Sequence, residues 1–161
     1  MELASPGAAH KELDAFIGKW SVEGEYWMAP GTPPGKSTAE VENSWVLGGR
    51  FVQENYKSEM MGQAFTGLGY FGYDNQKQQY VNVWMDTMAT GVLYSLGAWD
   101  AAKKELTFSG EYDDPMAPGQ KKKFRNVMRV EAPDRYVFEM YETGADGKEF
   151  KNVSAIHTKK P

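Results

Sequence analysis

At 161 residues the chain is long enough to bury a core without cross-links, and the absence of cysteine excludes disulfides and thiolate chemistry alike. A net charge of −4 argues against generic nucleic-acid binding, which needs a basic surface. Hydrophobic residues at 41% and charged residues at 25% describe a globular chain, and 14% aromatics favour strands, where flat rings pack on a pleated surface.

The opening "MELASPGAAH" has neither the basic n-region nor the apolar run of a signal peptide. No apolar stretch approaches the roughly 18 residues of a membrane span. The expectation is a cytoplasmic protein of one domain, residues 1–161, with no membrane span.

The first predicted element is a helix over about 6–17. Ser5 suits its cap, Pro6 its first position, and Gly18 its end. Ala9, Leu13, Phe16 and Ile17 share one face, and His10 falls on the polar side. The period then changes to two. Strands are expected at about 19–28, 37–46, 50–60, 63–73, 79–87, 91–99, 104–112, 121–131, 135–143 and 149–158. The connections between them, such as "LGGR", "MGQ", "DNQKQ", "MAT" and "GADG", suit hairpins and are too short for parallel crossovers. An antiparallel meander of about ten strands protects its edges by closing. The predicted fold is therefore all-β: a closed antiparallel up-and-down β-barrel with a short N-terminal helix. A barrel of this size leaves interior space for a small ligand.

"GLGYFG" matches the glycine pattern of a dinucleotide loop, but no helix follows it to hold a pyrophosphate. The glycines read better as room for a ring. If Tyr73 pairs with Tyr80, then Gly69 faces Trp84 and Gly67 faces Asp86. In "YVNVWMDTMATG" strand alternation puts Tyr80, Asn82, Trp84 and Asp86 on one face and Val81, Val83 and Met85 on the other. Turning the first face inward gives a pocket lining, with Trp84 expected opposite Tyr94. It also leaves an outer apolar patch of Val81, Val83, Met85 and Leu93, which suits a homodimer. The alternative is that the valines fill the core. Asp86 also reads as a strand-end residue that binds backbone N–H groups.

In "RNVMR", Arg125 falls opposite Tyr141. It would anchor a carboxylate if that face points inward. The other face, with Phe124, Met128, Phe138 and Met140, is more apolar and is the expected interior, which makes the arginines an outer charged ladder. His157 is expected to share the Phe138 face near a mouth, where it has the chemistry to ligate haem iron. No second histidine or cysteine accompanies it, so no metal site is assigned. No nucleophile elbow or HExxH motif is present, and no catalytic residue or cofactor is assigned.

At "FIGKWSVEG" a short helix leads into Gly18-Lys19-Trp20, which resembles the Gly-x-Trp signature of lipocalins and other calycins. "WVLGGRFVQENY", "GLGYFGYDN", "YVNVWMDTMATG" and the late "DGKE" hairpin resemble, nearly end to end, a bacterial family catalogued as domain of unknown function 1579. The resemblance implies a calycin-like (lipocalin-like) barrel with Trp20 packed across its closed end, and no established activity. The expected function is binding of a small apolar or amphipathic molecule by Trp84, Asp86, Asn82, Tyr94, Met128, Phe138, Arg125 and His157. The alternatives are a haem-binding barrel, or an enzyme using Asp86 or Glu54 at the mouth, aided by Arg125.

Overall fold

A computed structural model describes residues 2–60 and 62–161, with the backbone alone at 2 and 60. The predicted "MGQ" turn includes Met61 and lies partly outside the described residues. Ten strands follow the helical start: β1 (Gly18–Tyr26), β2 (Gly35–Val46), β3 (Phe51–Met60), β4 (Gln63–Asp74), β5 (Gln79–Asp86), β6 (Leu93–Asp100), β7 (Glu105–Asp113), β8 (Lys121–Ala132), β9 (Arg135–Thr143) and β10 (Glu149–Lys159). Each pairs antiparallel with its sequence neighbours, and β1 pairs with β10 to close the ring. The observed strand ends lie within two residues of those expected from alternation and turn chemistry. No helix among the described residues is long and apolar enough to cross a membrane.

The helical start is shorter and more broken than expected. It comprises a 3-10 turn (Glu2–Ala4), α1 (Ala8–Lys11) and a second 3-10 segment (Glu12–Phe16). Its cap is Gly7 and not Ser5. The His10 backbone N–H donates to the Gly7 carbonyl at 3.1 Å, and the Gly7 N–H donates to His10 Nδ1 at 3.1 Å. That exchange corrects the reading of His10 as solvated. The ring is buried, edge-on to Tyr73, and its burial holds the imidazole pKa below the ordinary value.

This segment plugs one end of the barrel. Leu13 and Phe16 are fully buried among Trp20, Val52, Phe71 and Tyr136. The Phe16 carbonyl, left without an intrahelical partner, accepts from Trp20 Nε1 and Asn43 Nδ2, both at 2.9 Å. Tyr80 donates its hydroxyl to the Ala9 carbonyl at 2.9 Å, and Trp45 Nε1 donates to Asp14 Oδ1 at 2.8 Å. Side chains from β1, β2 and β5 thus tie down one short segment.

Register decides which faces point inward. Tyr73 pairs with Tyr80 and Gly69 with Trp84, as the "DNQKQ" turn implied. Continuity with buried Tyr80 and Phe71 turns Asn82, Trp84 and Asp86 inward and Val81, Val83 and Met85 outward. On β8 the apolar face wins: Phe124 and Met128 are buried, and Arg125 and Arg129 lie on the outer wall.

Two expected pairings are corrected. Trp84 pairs with Leu93, not Tyr94, so Leu93 faces inward and Tyr94 outward. The β5–β6 connection holds one residue fewer between Trp84 and its partner than expected, while the Thr87 N–H extends the β4–β5 ladder by donating to the Thr66 carbonyl at 3.0 Å. A slip of one residue exchanges the two faces. At the last hairpin Thr143 pairs with Glu149 rather than Lys148, and a bulge between Lys151 and Val153 adds a second residue of shift. The two shifts together restore parity. Val153, Ala155 and His157 therefore do share the Phe138 and Met140 face.

Candidate functional site: a polar lumen above the plug

Inward side chains fall into two zones. Beside the plug, Trp20, Val22, Val52, Phe71, Tyr80, Leu106, Phe108 and Tyr136 are buried. Toward the other end, Glu54, Tyr56, Asn82, Trp84, Leu93, Asn126, Phe138, Met140 and Val153 point inward yet keep partial exposure. Close packing leaves inward core residues no such exposure. This half of the barrel is therefore more open than the plugged half, and these partly exposed side chains line its lumen.

Trp84 forms one wall. Its ring lies over Gly67 and Gly69 of β4, and a Cβ at Gly67 would overlap the indole. The glycines are required by this close approach and not by backbone dihedrals. Trp84 Nε1 donates to Asp86 Oδ2 at 2.8 Å, while Asp86 Oδ1 accepts the Met88 backbone N–H at 2.9 Å. Asp86 thus closes the strand end, as one reading of it expected, and also holds the indole. Tyr56 meets Trp84 edge-on with centroids 5.9 Å apart, and Phe65 meets Tyr56 the same way at 5.8 Å.

Below these rings lies a polar belt. Glu54 neighbours Asn43 across β2–β3 and Gly69 across β3–β4. Burial pushes its carboxyl pKa up to about 7, and the nearby Asn43 side chain opposes this only in part. Burial and the Glu54 charge also raise the Tyr136 and Tyr56 hydroxyls. His157 stacks on Tyr136 with centroids 4.1 Å apart, and burial lowers its pKa to about 3, so its ring is neutral. The Asn43 side chain acts on both Glu54 and Tyr136, lowering each against the larger effect of burial. Asn43 Oδ1, Asn126 Oδ1, Tyr136 OH and His157 Nδ1 are buried with no hydrogen-bond partner in the protein. Native cores leave few such groups, and each needs an explanation.

Of the eight expected site residues, Trp84, Asp86, Asn82 and Phe138 line this lumen, and Met128 lies buried beneath it. His157 points inward, but in the filled half beside Val22 and Tyr136, not at a mouth. Tyr94 and Arg125 leave the site. Tyr94 is 48% exposed on the outer wall. Arg125 pairs outside with Glu149 at 2.6 Å and covers the Tyr141 ring at 4.2 Å. It therefore neither anchors an interior carboxylate nor assists Glu54. Asn43, Asn126, Tyr56 and Tyr136 enter the site without having been expected there. Parity with Val41 and Trp45 was the available signal for Asn43. Among the described residues no group of three or more histidine, aspartate or glutamate side chains is arranged to hold a metal ion.

A family model described as "Protein of unknown function (DUF1579)" matches residues 5–159. Among solved structures, the crystal structure of Rv2717c from M. tuberculosis is similar, with a TM-score of 0.71 over 98% of this chain and 100% of that one. Identity is 14%, so the likeness is one of fold. No functionally curated protein matches the chain.

Proposed function

Because the chain belongs to this family of unknown function, whose description carries no activity, we propose a function from the lumen itself: binding of a small amphipathic molecule inside the barrel. The carrying observation is the set of buried polar atoms without partners, on Asn43, Asn126 and Tyr136, beneath inward side chains that keep partial exposure. Leaving such groups unsatisfied costs roughly 1–3 kcal/mol each. A ligand that supplies the missing hydrogen bonds recovers part of that cost, and the rings of Tyr56, Trp84, Phe65 and Phe138 take up its apolar body. Nothing comparable favours haem at His157, whose ring is stacked on Tyr136 in the filled half. Glu54, titrating near neutrality, supports a second reading as a general acid or base, although Arg125, paired with Glu149 on the outer wall, does not accompany it.

The test is ligand-observed NMR with 2-phenylethanol, a neutral one-ring amphiphile. Saturation transfer is expected with the native protein and not with Met140→Trp, whose indole would occupy the lumen. Equal signals from the two proteins would refute interior binding.

The outer wall supports a second copy as partner. Tyr70, Val83 and Tyr94 form one outward row across β4–β6, flanked by Leu68 with Met85 and by Val81 with Leu96. Leu93, expected in this patch, points inward, and Tyr94 and Leu96 take its place. The neighbouring outward positions Gln53, Asn55 and Ser109 are uncharged, so two copies would meet without opposing like charges. The protein is expected to sediment as a dimer at micromolar concentration, and Val83→Glu as a folded monomer. A native monomer would remove this proposal.

A further inference from the structure

We infer that the lumen selects an organic cation bearing N–H groups, a protonated amine on a small apolar body. The inference rests on the reading of the lumen as a binding site and adds the charge and donor character of what is bound. Three independent features carry it.

The first is a mismatch of hydrogen-bonding capacity. Of the orphaned groups, Asn43 Oδ1, Asn126 Oδ1 and Asn152 Oδ1 only accept and Trp99 Nε1, in the plugged half opposite Leu106, only donates, while the Tyr136 hydroxyl and the neutral His157 ring can do either. Glu54 faces the same space with the Asn43 side chain as its hydrogen-bonding neighbour and no cation among the groups that act on its carboxyl. Ligand acceptors find few free donors here, whereas an ammonium brings up to three donors from one atom.

Charge is the second. Inward positions of the upper half include the acids Glu54, Asp86 and Glu142. Among the described residues there, Lys122 is the one cation, and it lies 3.6 Å from Asp114. A bound carboxylate would face these acids with no free cation. A bound ammonium would face them with opposite charge, in surroundings where burial strengthens the attraction.

The third is the aromatic wall. The Trp84 indole lies over the β4 glycines, meets Tyr56 at an angle of 81°, and keeps partial exposure on the lumen wall. Its N–H is given to the Asp86 carboxylate, and that bond pushes electron density into the ring. An electron-rich indole face is the best side-chain partner for a cation. A neutral ligand would gain only its area of contact with that wall.

The test compares 2-phenylethylammonium, 2-phenylethanol and 3-phenylpropanoate, which share a phenyl body and differ in charge, by calorimetry and ligand-observed NMR at pH 7.5. The amine is expected to bind at least tenfold tighter than the alcohol, and the carboxylate weakest. Glu54→Gln is expected to reduce the amine-to-alcohol ratio below threefold. If that variant does not fold, the native protein still answers. Amine binding draws Glu54 into its ionised form, so proton release is expected at pH 7, measured as a heat that changes with the ionisation enthalpy of the buffer. An alcohol or carboxylate that binds as tightly as the amine, or amine binding with no proton release, overturns the inference and leaves the lumen reading standing. Failure of all three probes to bind overturns both.

Discussion

Trp20→Ala is expected to lower the unfolding free energy by about 3–5 kcal/mol, the range for deleting a large aromatic side chain from a packed core. The indole is 1% exposed and packs edge-on to Tyr136 with centroids 4.7 Å apart. It also donates one of the two hydrogen bonds that hold the Phe16 carbonyl, so its removal loosens the plug as well as opening a cavity. The collapse that would limit the cost is blocked, because the neighbouring strands are fixed by closed ladders on both sides. Urea denaturation followed by circular dichroism measures the effect. A loss under about 1 kcal/mol would mean that the plug and β1 are not part of the cooperative core. Trp84→Ala makes the contrasting control. Its ring is partly exposed on a lumen wall, so the expected loss is smaller, at about 1–2 kcal/mol.

The difference between these two tryptophans also marks what the amino-acid order could disclose. Trp20 was legible because a helical stripe of Leu13 and Phe16 runs directly into it, and each piece points at the same core. The face of Trp84 was legible because the turn before it is chemically marked. Asp74 Oδ1 accepts the backbone N–H groups of Gln76 and Lys77 at 2.9 and 3.1 Å, which fixes the β4–β5 register. The following loop is marked only at its start, where Asp86 Oδ1 accepts the Met88 N–H, and residues 85–92 separate Trp84 from its partner. Its register, Trp84 with Leu93, differs by one residue from the expected pairing, a difference that alternation alone does not contain. Tyr94 and Leu93 exchanged faces for that reason. Arg125 was misplaced as a possible anchor because its partner Glu149 comes from a different hairpin. The polar belt was hidden for a related reason. Asn43 and Tyr136 come from β2 and β9, and only closure through β1 and β10 brings them into one lumen. Each reads locally as a lone polar residue on an apolar face.

That belt predicts an unusual dependence of stability on pH, readable from two single variants. Glu54 titrates at about 7 in the folded protein against an ordinary value of 4.5. Below pH 4.5 both states hold the proton and burial of Glu54 carries no penalty. As pH rises from 4.5 to 7 the unfolded chain gives up its proton first, and stability falls by about 1.4 kcal/mol per pH unit, about 3 kcal/mol in all. His157 works in the opposite direction. Its folded value is about 3 against an ordinary 6.5, so as pH falls below 6.5 the unfolded chain binds a proton that the buried ring refuses. Between pH 4.5 and 6.5 the two slopes oppose each other and nearly cancel. Glu54→Gln is therefore expected to gain stability with rising pH across this window, and His157→Gln to lose it, each by about 1.4 kcal/mol per unit. The groups nearest to Glu54 do not confuse the result, since Tyr56 and Tyr136 are both raised above 10. Glu111, Glu139 and Glu149 are lowered from 4.5 and act below the window. His10, lowered by its own burial, adds a slope of the same sign as His157 to both variants, so the measured quantity is the difference between them, about 2.8 kcal/mol per pH unit. Urea titrations at pH 4.5, 5.5 and 6.5 supply it. Parallel curves for the two variants would place Glu54 and His157 in contact with water and remove the polar belt as a feature of the fold. Diverging curves would mean that the barrel retains two buried groups which each reduce its stability on one side of neutrality, a cost that packing does not require and that a ligand bound against them would relieve.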